Sequence, residues 1–397
     1  IEGLSNGKAI LDALLQDLHR PFVDEIVLLD SDGHDMHREP DLIDVWFDSG
    51  AMPYAQWHYP FENEDIFKRN FPADFIAEGV DQTRGWFFTL HAIATLLHDS
   101  VAYKNVIANG LVQDKDGRKM SKRLGNAVDP FETIETHGAD ATRWYMVANA
   151  PPWENLRFNM EHLEDTKRKF LGTLYYTYDF FALYANIDGY QYDARQSTPV
   201  ADRTELDRWI LSVANSTLNE VRAAFDDYDP TRAARAVQEL VTEQLSNWYV
   251  RLSRRRFWKG EMNADKQAAY DTLFDCLVLT SQMMAPIAPF LSDWLFRNLT
   301  DNLSDTPEAL PAHLRQPSVH LTDLAQVQQG SIDEALESRM DMAQRICSLG
   351  RSIRRQHHLK VRQPLARVMI PVLSEGAAEQ IDAVEDIILS ELNIKRI

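Results

Sequence analysis

The sequence predicts an α/β domain, followed by an all-helical bundle and the start of a small α/β region. Between residues 41 and 150, short apolar runs of strand type alternate with helical patterns, which is typical of α/β folds. From Glu161 onward the apolar residues recur at helical spacing over long segments. A connection rich in Pro, Asp and Ser at 301–330 then leads to a further helix, a strand and a helix.

The α/β part is predicted from a few clear segments. Lys8–Leu18 has a helical pattern, and Glu25–Leu29 and Asn105–Val112 are strand-like. Phe75–Glu78 is a further strand, which passes through Gly79 into a helix from about Asp81. The end of a strand beside a helix N-terminus is where open α/β sheets bind ligands, because backbone N–H groups and the helix dipole favour anions.

The helical part is predicted from 3.6-residue periodicity. The predicted helices are Glu161–Ala185, Thr204–Phe225, Thr231–Trp258, Ala264–Leu299 and Ile332–His357. Pro286 and Pro289 should kink or break the fourth of these, since proline removes a helical hydrogen bond. Leu365–Val372 is predicted as a strand and Ala377–Leu392 as a final helix.

Composition places the chain among globular proteins of two to three domains. It has 397 residues, of which 45% are hydrophobic and 25% charged, and no apolar run approaches the roughly 20 residues of a spanning helix. Cys276 and Cys347 lie in apolar helical patterns and are expected to be buried free thiols, which suits the cytoplasm. No Cys/His grouping has zinc spacing, so no metal site is predicted. The net charge of −19 argues against general nucleic-acid affinity, although basic residues cluster locally.

A short basic motif, Lys119-Met120-Ser121-Lys122-Arg123, follows the Asn105–Val112 run and a turn at 114–117. Two lysines at i and i+3 in a loop can close on a triphosphate and neutralise the charge that grows on a leaving pyrophosphate. Taken alone, such a cluster is more often a solvated basic turn. The segments around it change that interpretation.

Five segments of the chain resemble the isoleucyl-tRNA synthetase family of class I aminoacyl-tRNA synthetases, in order. They are DVWFDSGAMPYAQWHYPF (44–61), FIAEGVDQTRGWFFTL (75–90), KMSKR (119–123), NWYVRLSRRRFW (247–258) and KVRQPL (360–365). The resemblance implies that the α/β part is the C-terminal half of a Rossmann-like catalytic domain and that the helical bundle binds the anticodon. Arg123 stands where many members of the family carry Ser.

The resemblance also assigns residues to the reaction, in which the amino acid and ATP form an aminoacyl-adenylate. It implies that Lys119 and Lys122 are catalytic. Binding of ATP and the adenylate is expected of Glu78, Gly79, Asp81, Gln82, Met120, Ser121 and Lys122. Trp46 and Trp86 are expected to wall the isoleucine side-chain pocket, although a tryptophan is more often core than pocket. Asp81 could equally cap the following helix.

A basic and aromatic stripe is the candidate tRNA contact. On an α-helical wheel Trp248, Arg251, Arg255 and Trp258 fall on one face, with Arg254 and Arg256 beside it. Arginines can grip phosphates and aromatic rings can stack on unpaired bases. Each arginine could equally pack its stem against the core or form a buried ion pair.

The domain organisation expected from these patterns has five parts. The resembled family carries a long insert that edits mischarged tRNA, and residues 1–40 would be the exit segment of this insert. Residues 41–160 would be the C-terminal half of the catalytic domain, and 161–300 the anticodon-binding domain. Residues 301–330 would be a linker, and 331–397 a helix plus the start of a further domain. The resembled family builds half of its ATP site from a His-x-Gly-His tetrapeptide, which this chain does not contain. We therefore expect a fragment that is catalytically inactive alone.

For the parent protein the resemblance implies a cytoplasmic, monomeric isoleucine–tRNA ligase using ATP, Mg²⁺, L-isoleucine and tRNA(Ile). No zinc and no membrane association are expected. Two alternatives stay open at this point. One is a valine–tRNA ligase, which Asp81-Gln82-Thr83-Arg84-Gly85-Trp86 disfavours; the other is a non-catalytic tRNA-binding module.

Overall fold

The computed structural model describes residues 19–41, 45–303, 306–372 and 376–397. The chain forms two compact units, residues 1–109 and 110–397. The predicted helix at Lys8–Leu18 lies outside the described residues. In the described ranges, no helix is both long and apolar enough to cross a bilayer.

The first unit begins with a hairpin. β1 (Val27–Leu29) pairs antiparallel with β2 (Asp35–His37). The predicted strand at Glu25–Leu29 therefore starts later than expected, because Phe22–Glu25 is a 3-10 turn. Three short helices follow, α1 (Val45–Gly50), α2 (Met52–Ala55) and α3 (Glu64–Asn70).

A β–α–β arrangement completes the first unit and confirms its α/β class. β3 (Ala73–Gly79) and β4 (Tyr103–Asn109) are parallel, and α4 (Trp86–His98) connects them. Leu90 and Ala94 of α4 form a small buried cluster with Ala102. Much of the sheet is uncovered within this unit, and Phe75 and Val106 are exposed apolar residues. The strand predicted at Asn105–Val112 ends at Asn109, and the chain then turns at Gly110, whose N–H donates to the Pro152 carbonyl.

The start of the second unit joins the lysine motif to the helical core. β5 (Val112–Gln113) pairs in parallel with β6 (Leu156–Arg157). Between these strands lie α5 (Pro130–His137) and α6 (Ala139–Asn149). The Asp129 side chain caps α5 by accepting two backbone N–H groups, and Trp144 of α6 is fully buried in the large core. The segment 110–160, predicted as part of the catalytic domain, thus packs with the helical unit.

The helical bundle has the predicted elements, with two π-helical segments. α7 (Met160–Asp165) runs through a π segment (Thr166–Leu171) into α8 (Gly172–Asp188). α10 (Pro230–Glu239) likewise runs through a π segment (Leu240–Val250) into α11 (Arg251–Trp258). The other bundle helices are α9 (Glu205–Asp226), α12 (Ala264–Met284) and α13 (Pro289–Thr300).

Local sequence explains where these helices start and stop. Thr204 and Asp207 form a capping box at the start of α9, which satisfies two backbone N–H groups. The predicted break near Pro286 and Pro289 is confirmed, because α12 ends at Met284 and α13 begins at Pro289. α12 is buried nearly all round and forms the centre of the bundle.

The connection predicted as a linker at 301–330 packs against the bundle. It is a succession of 3-10 turns at Asp301–Leu303, Pro307–Ala309, Ala312–Leu314, Val319–Leu321 and Gln329–Ser331. Its apolar residues Leu303, Leu310, Leu314 and Val319 are buried in the same core. Between this connection and helices α9 and α12 lies a cavity of about 250 Å³, which Asp275 lines.

The C-terminal region packs on α14 (Glu334–Gln356) through α15 (Ala377–Asp382) and α16 (Glu385–Leu392). The predicted final helix is therefore two helices. The predicted strand at Leu365–Val372 is wrong: only Leu365 makes a bridge, to Ile394. A strand needs a partner along its length, and beyond Leu365 the described residues continue no such ladder, although the Val368 N–H donates to the Arg396 carbonyl.

Both cysteines are buried free thiols, as predicted. Cys276 lies in α12 and Cys347 in α14, at 3% and 0% exposure. Burial raises the pKa of both thiols, that of Cys347 to about 11.

Candidate functional site

The predicted adenylate wall lies at the end of β3. Glu78 is exposed and pairs in register with Ala108, and Gly79 ends the strand. A side chain at Gly79 would collide with Asp81, since its Cβ would stand 2.5 Å from Asp81 Oδ1. This glycine therefore lets the Asp81 carboxylate lie directly against the strand end.

The helix after this strand begins later than predicted. Val80–Arg84 is a 3-10 turn and α4 starts at Trp86. Gln82 bonds the first turn, because its Oε1 accepts the Trp86 N–H at 3.0 Å. Its Nε2 donates to Asp81 Oδ2 at 3.1 Å. Asp81 thus contacts Gln82 and does not cap α4, so its exposed carboxylate can still accept a hydrogen bond from a ligand.

The two predicted pocket tryptophans lie on neighbouring helices of the first unit. Trp46 belongs to α1 and is 46% exposed, and Trp86 begins α4 and is partly buried. The Trp86 indole Nε1–H donates to the Ser49 carbonyl at 3.0 Å, which fixes the ring and ties α4 to α1. The end of the Trp46 ring lies against Gly85.

The lysine motif lies on a tight hairpin of the second unit. A turn at Asp114–Gly117 returns the chain so that Gln113 and Lys119 form an antiparallel bridge. Gly117 has φ +80°, a conformation that favours glycine. Lys119 is exposed, whereas Met120 packs against the core and anchors the loop.

The second half of the motif is a 3-10 turn, Lys122–Leu124. Ser121 Oγ accepts the Leu124 N–H at 3.2 Å, so this serine caps the turn. For Lys122 the backbone alone is described. The turn begins at this lysine, directly after the anchored Met120 and the capping serine.

Two residues that brace this loop were missed by the sequence analysis. Asn126 accepts the Ser121 N–H at 2.9 Å and donates to Asp114 Oδ2 at 2.8 Å. Asp114 also accepts the N–H groups of Asp116 and Arg118. The hydrogen bond from Asn126 and these backbone bonds lower the pKa of Asp114. An Asp at the start of a turn is a sequence signal for a residue that braces the turn. Its hydrogen bond with Asn126 could be seen only in the structure.

The predicted tRNA stripe divides into two environments. Trp248 is 6% exposed, and the Arg251 guanidinium lies over its ring at 5.6 Å from the centroid. Arg251 also makes two 2.6 Å hydrogen bonds to the Glu391 carboxylate, which Arg351 contacts as well. Glu391 belongs to α16, so this cluster attaches the C-terminal helix to the bundle.

Arg254 and Arg255 lie on the exposed side of α11. Neither has a side-chain hydrogen bond or ion pair among the described residues. Their neighbour Arg256 points inward instead and makes bonds of 2.7 and 2.8 Å to Asp207, which is fully buried. Burial alone would raise the pKa of Asp207, but the hydrogen bonds and charge of Arg256, together with hydrogen bonds from Tyr249 and Thr204, make the net shift downward.

One group of residues in the described ranges has a spacing that suits a metal ion, namely Asp30, Asp32 and His34 in the β1–β2 turn. The oxygens of Asp30 are already used, because Oδ1 accepts the N–H groups of Asp32 and His34 and Oδ2 faces the His34 ring. These contacts explain the group as an ordinary exposed turn.

Two family models match the chain. Residues 6–159 match tRNA synthetases class I (I, L, M and V), and residues 207–370 match the anticodon-binding domain of tRNA ligase. The chain is similar to the isoleucine–tRNA ligase of Cytophaga hutchinsonii, with 59% identity over 383 residues that cover 96% of this chain and 34% of that protein. The isoleucine–tRNA ligase of Bacteroides thetaiotaomicron is 54% identical over 388 residues, which cover 96% of this chain and 32% of that protein. The chain thus spans about a third of the length of these curated relatives.

Solved structures share the fold at low identity. The ternary complex of Agrobacterium radiobacter K84 agnB2 LeuRS, tRNA and LeuAMS superposes with a TM-score of 0.55 and 18% identity, over 77% of this chain and 36% of that one. Mycobacterium tuberculosis methionyl-tRNA synthetase in complex with methionyl-adenylate gives a TM-score of 0.52 and 20% identity, over 66% of this chain and 49% of that one. The chain thus contains a domain of the class I tRNA synthetases at residues 6–159, which spans the first unit and the start of the second, and an anticodon-binding domain of the tRNA-ligase type at residues 207–370, within the helical unit.

Proposed function

We propose that the whole protein is an isoleucine–tRNA ligase. It would join L-isoleucine to the α-phosphate of ATP, release pyrophosphate, and transfer the isoleucyl group to tRNA(Ile). The observation that carries this proposal is 59% identity to an isoleucine–tRNA ligase across a stretch that includes both the Glu78–Trp86 wall and the lysine loop. Neither chemical step needs a protein nucleophile, so positioning and electrostatic stabilisation would supply the catalysis.

The lysine loop would act on the phosphates. Lys122 would be the main ligand of the reacting phosphates and Lys119 would support it, since each ammonium stabilises charge that develops on pyrophosphate. Met120 and Ser121 would hold the loop in register, which their core packing and turn capping support. Mg²⁺ would be held chiefly by the phosphates themselves, because this ion keeps several waters and few protein ligands in nucleotide sites.

The wall of the first unit would hold the adenylate and the amino acid. Glu78 and Asp81 are exposed carboxylates that can accept hydrogen bonds from ribose hydroxyls or the substrate ammonium. Gln82 would fix Asp81, and Gly79 would allow a close backbone approach. Trp46 and Trp86 would line the slot for the branched aliphatic side chain, a slot that separates isoleucine from valine by only about 1–3 kcal/mol.

The helical unit would bind tRNA through the exposed side of α11. Arg254 and Arg255 are exposed and available to phosphates without any rearrangement. For Trp248 and Arg251 to contact tRNA, the ion pair with Glu391 would first have to open. We propose that the whole protein acts in the cytoplasm as a monomer, with ATP, isoleucine and tRNA as its ligands.

The experiment is amino-acid-dependent ATP–pyrophosphate exchange by the whole protein, comparing isoleucine, valine, leucine and methionine. Isoleucine should support the highest kcat/KM. Preference for valine would favour the valine enzyme, and no exchange with any amino acid, together with retained tRNA binding, would favour the binding module. The 397-residue chain alone should give only background exchange; robust turnover would contradict our division of the site.

A further inference from the structure

We propose that Gly85 is a positioning residue for the amino-acid pocket, because its missing side chain leaves the space in which the Trp46 ring lies. The inference rests on the proposed function, in which Trp46 and Trp86 line the isoleucine slot. It adds a residue that contacts no substrate and acts on specificity through the tryptophans.

The first observation is the contact between Gly85 and Trp46. A Cβ placed on Gly85 would stand 3.1 Å from Trp46 Cη2 and 3.4 Å from Cζ3. These two atoms belong to the six-membered ring at the far end of the indole. The ring of Trp46 therefore rests on the Gly85 backbone at the N-terminus of α4, and a methyl group there would displace the end of the ring by a few tenths of an ångström.

The second observation is that the same methyl group would reach Gln82. Its carbon would lie 2.9 Å from Gln82 Oε1, the atom that accepts the Trp86 N–H. Gln82 would have to give up or stretch this hydrogen bond, and with it the contact through Nε2 to Asp81. One backbone position thus governs the Trp46 ring, the first hydrogen bond of α4 and the polar wall.

The third observation concerns the distance between the two helices that carry the tryptophans. Gly50, at the end of α1, is buried, and a Cβ there would stand 2.8 Å from Ile93 Cδ1 and 3.1 Å from Thr89 of α4. The Ser49 carbonyl, one residue earlier, accepts the Trp86 indole N–H. The close contact between α1 and α4 at Gly50 and the ring contact at Gly85 therefore together fix the distance between Trp46 and Trp86.

The test is Gly85→Ala in the whole protein, with exchange kinetics measured as functions of isoleucine, valine and ATP. We expect the KM for isoleucine to rise about 5- to 20-fold, and the KM for ATP to rise by a smaller factor through the disturbed contact between Gln82 and Asp81. Discrimination between isoleucine and valine should fall, because the extra methylene of isoleucine loses its fitted contact. Gly330→Ala is the matched control, since no atom lies within 4 Å of a Cβ at that position.

A rescue experiment separates positioning from a general structural defect. A background with Trp46→Phe and Gln82→Ala lacks both the ring atoms and the amide oxygen that a Cβ on Gly85 would meet, so adding Gly85→Ala to it should change the KM for isoleucine less than about 2-fold. If Gly85→Ala alone fails to fold, adding it to this background should still give folded protein. An active Gly85→Ala protein with an unchanged KM for isoleucine would overturn the inference and leave the proposed function standing. An equal fold-change in the background without Trp46 and Gln82 side-chain contacts would overturn it too, and so would a failure of Gly85→Ala to fold in that background.

Discussion

Among the arginines of α11, Arg256 is the one whose removal should lower the free energy of unfolding most. It makes two hydrogen bonds to Asp207, which is 0% exposed, and its own side chain is 16% exposed. Arg256→Ala would leave a buried carboxylate without its paired cation, and such changes cost about 3–5 kcal/mol. Tyr249 and Thr204 still donate to this carboxylate, so we expect the lower end, about 3 kcal/mol.

The assay is urea unfolding followed by far-UV circular dichroism, with Arg254→Ala as the control. Arg254 is exposed, so its removal should change the free energy of unfolding by at most about 0.5 kcal/mol. In the Arg256→Ala variant the pKa of Asp207 should be higher than in the native protein, because only the hydrogen bonds from Tyr249 and Thr204 then oppose the effect of burial. The cost should therefore shrink as the pH falls towards about 4, since protonation then relieves the buried charge.

Equal stability of Arg256→Ala and Arg254→Ala at about pH 7 would refute the predicted cost of the buried, unpaired carboxylate. A cost that stayed constant from about pH 7 to about pH 4 would also contradict it, because it would point to lost packing of the arginine stem. The comparison matters for function as well. Reduced tRNA binding by an Arg256 variant would reflect an unstable helical unit and could not be counted as a lost phosphate contact.

Four further outcomes follow from the residues described. Burial raises the pKa of Asp275 to about 6, so its contribution to stability is present below about pH 4 and is lost as the pH rises towards 6. Asp275→Asn should therefore reduce the pH dependence of the free energy of unfolding in this window. An unchanged slope of the free energy against pH would contradict this prediction. Asn126→Ala should lower kcat for exchange about 10-fold by loosening the lysine loop, with the circular dichroism spectrum unchanged. A normal kcat would show that the hydrogen bonds of Asn126 are not needed for catalysis. Lys122→Ala should remove roughly 2–4 kcal/mol of transition-state stabilisation with little change in isoleucine affinity, and near-normal exchange would make this lysine a bystander. Replacing Arg254 and Arg255 by alanine should weaken tRNA binding and flatten its salt dependence, with exchange intact; an unchanged salt slope would remove both from the interface.

The sequence was most informative where the signal is local. Helix periodicity, the prolines between α12 and α13 and the Thr204 cap are local signals, and the helices formed close to their predicted bounds. The motif residues of the adenylate wall and of the lysine loop are also contiguous in sequence. The residues of each group therefore lie close together within their unit because they are close together in the sequence.

The sequence was less informative where the structure depends on distant partners or on helix phase. Arg251 pairs with Glu391, 140 residues away, and no local pattern indicates such a pair. The π segment at Leu240–Val250 changes the number of residues per turn, so an α-helical wheel cannot place Trp248 and Arg255 on one face. The connection at 301–330 has a loop-like composition, but its scattered leucines and valine reach the core in short turns.

The rate at which the two buried thiols react would measure how often the helical unit opens. Cys276 and Cys347 are the only cysteines in the sequence, and both lie in that unit. A thiolate must form and become accessible before it can react, and burial opposes both steps. An alkylating reagent should therefore modify the native chain only as fast as α12 or α14 is transiently exposed. Mass spectrometry of each labelled cysteine would then give separate opening rates for α12 and for α14, with no cysteine to introduce and no signal from the α/β unit.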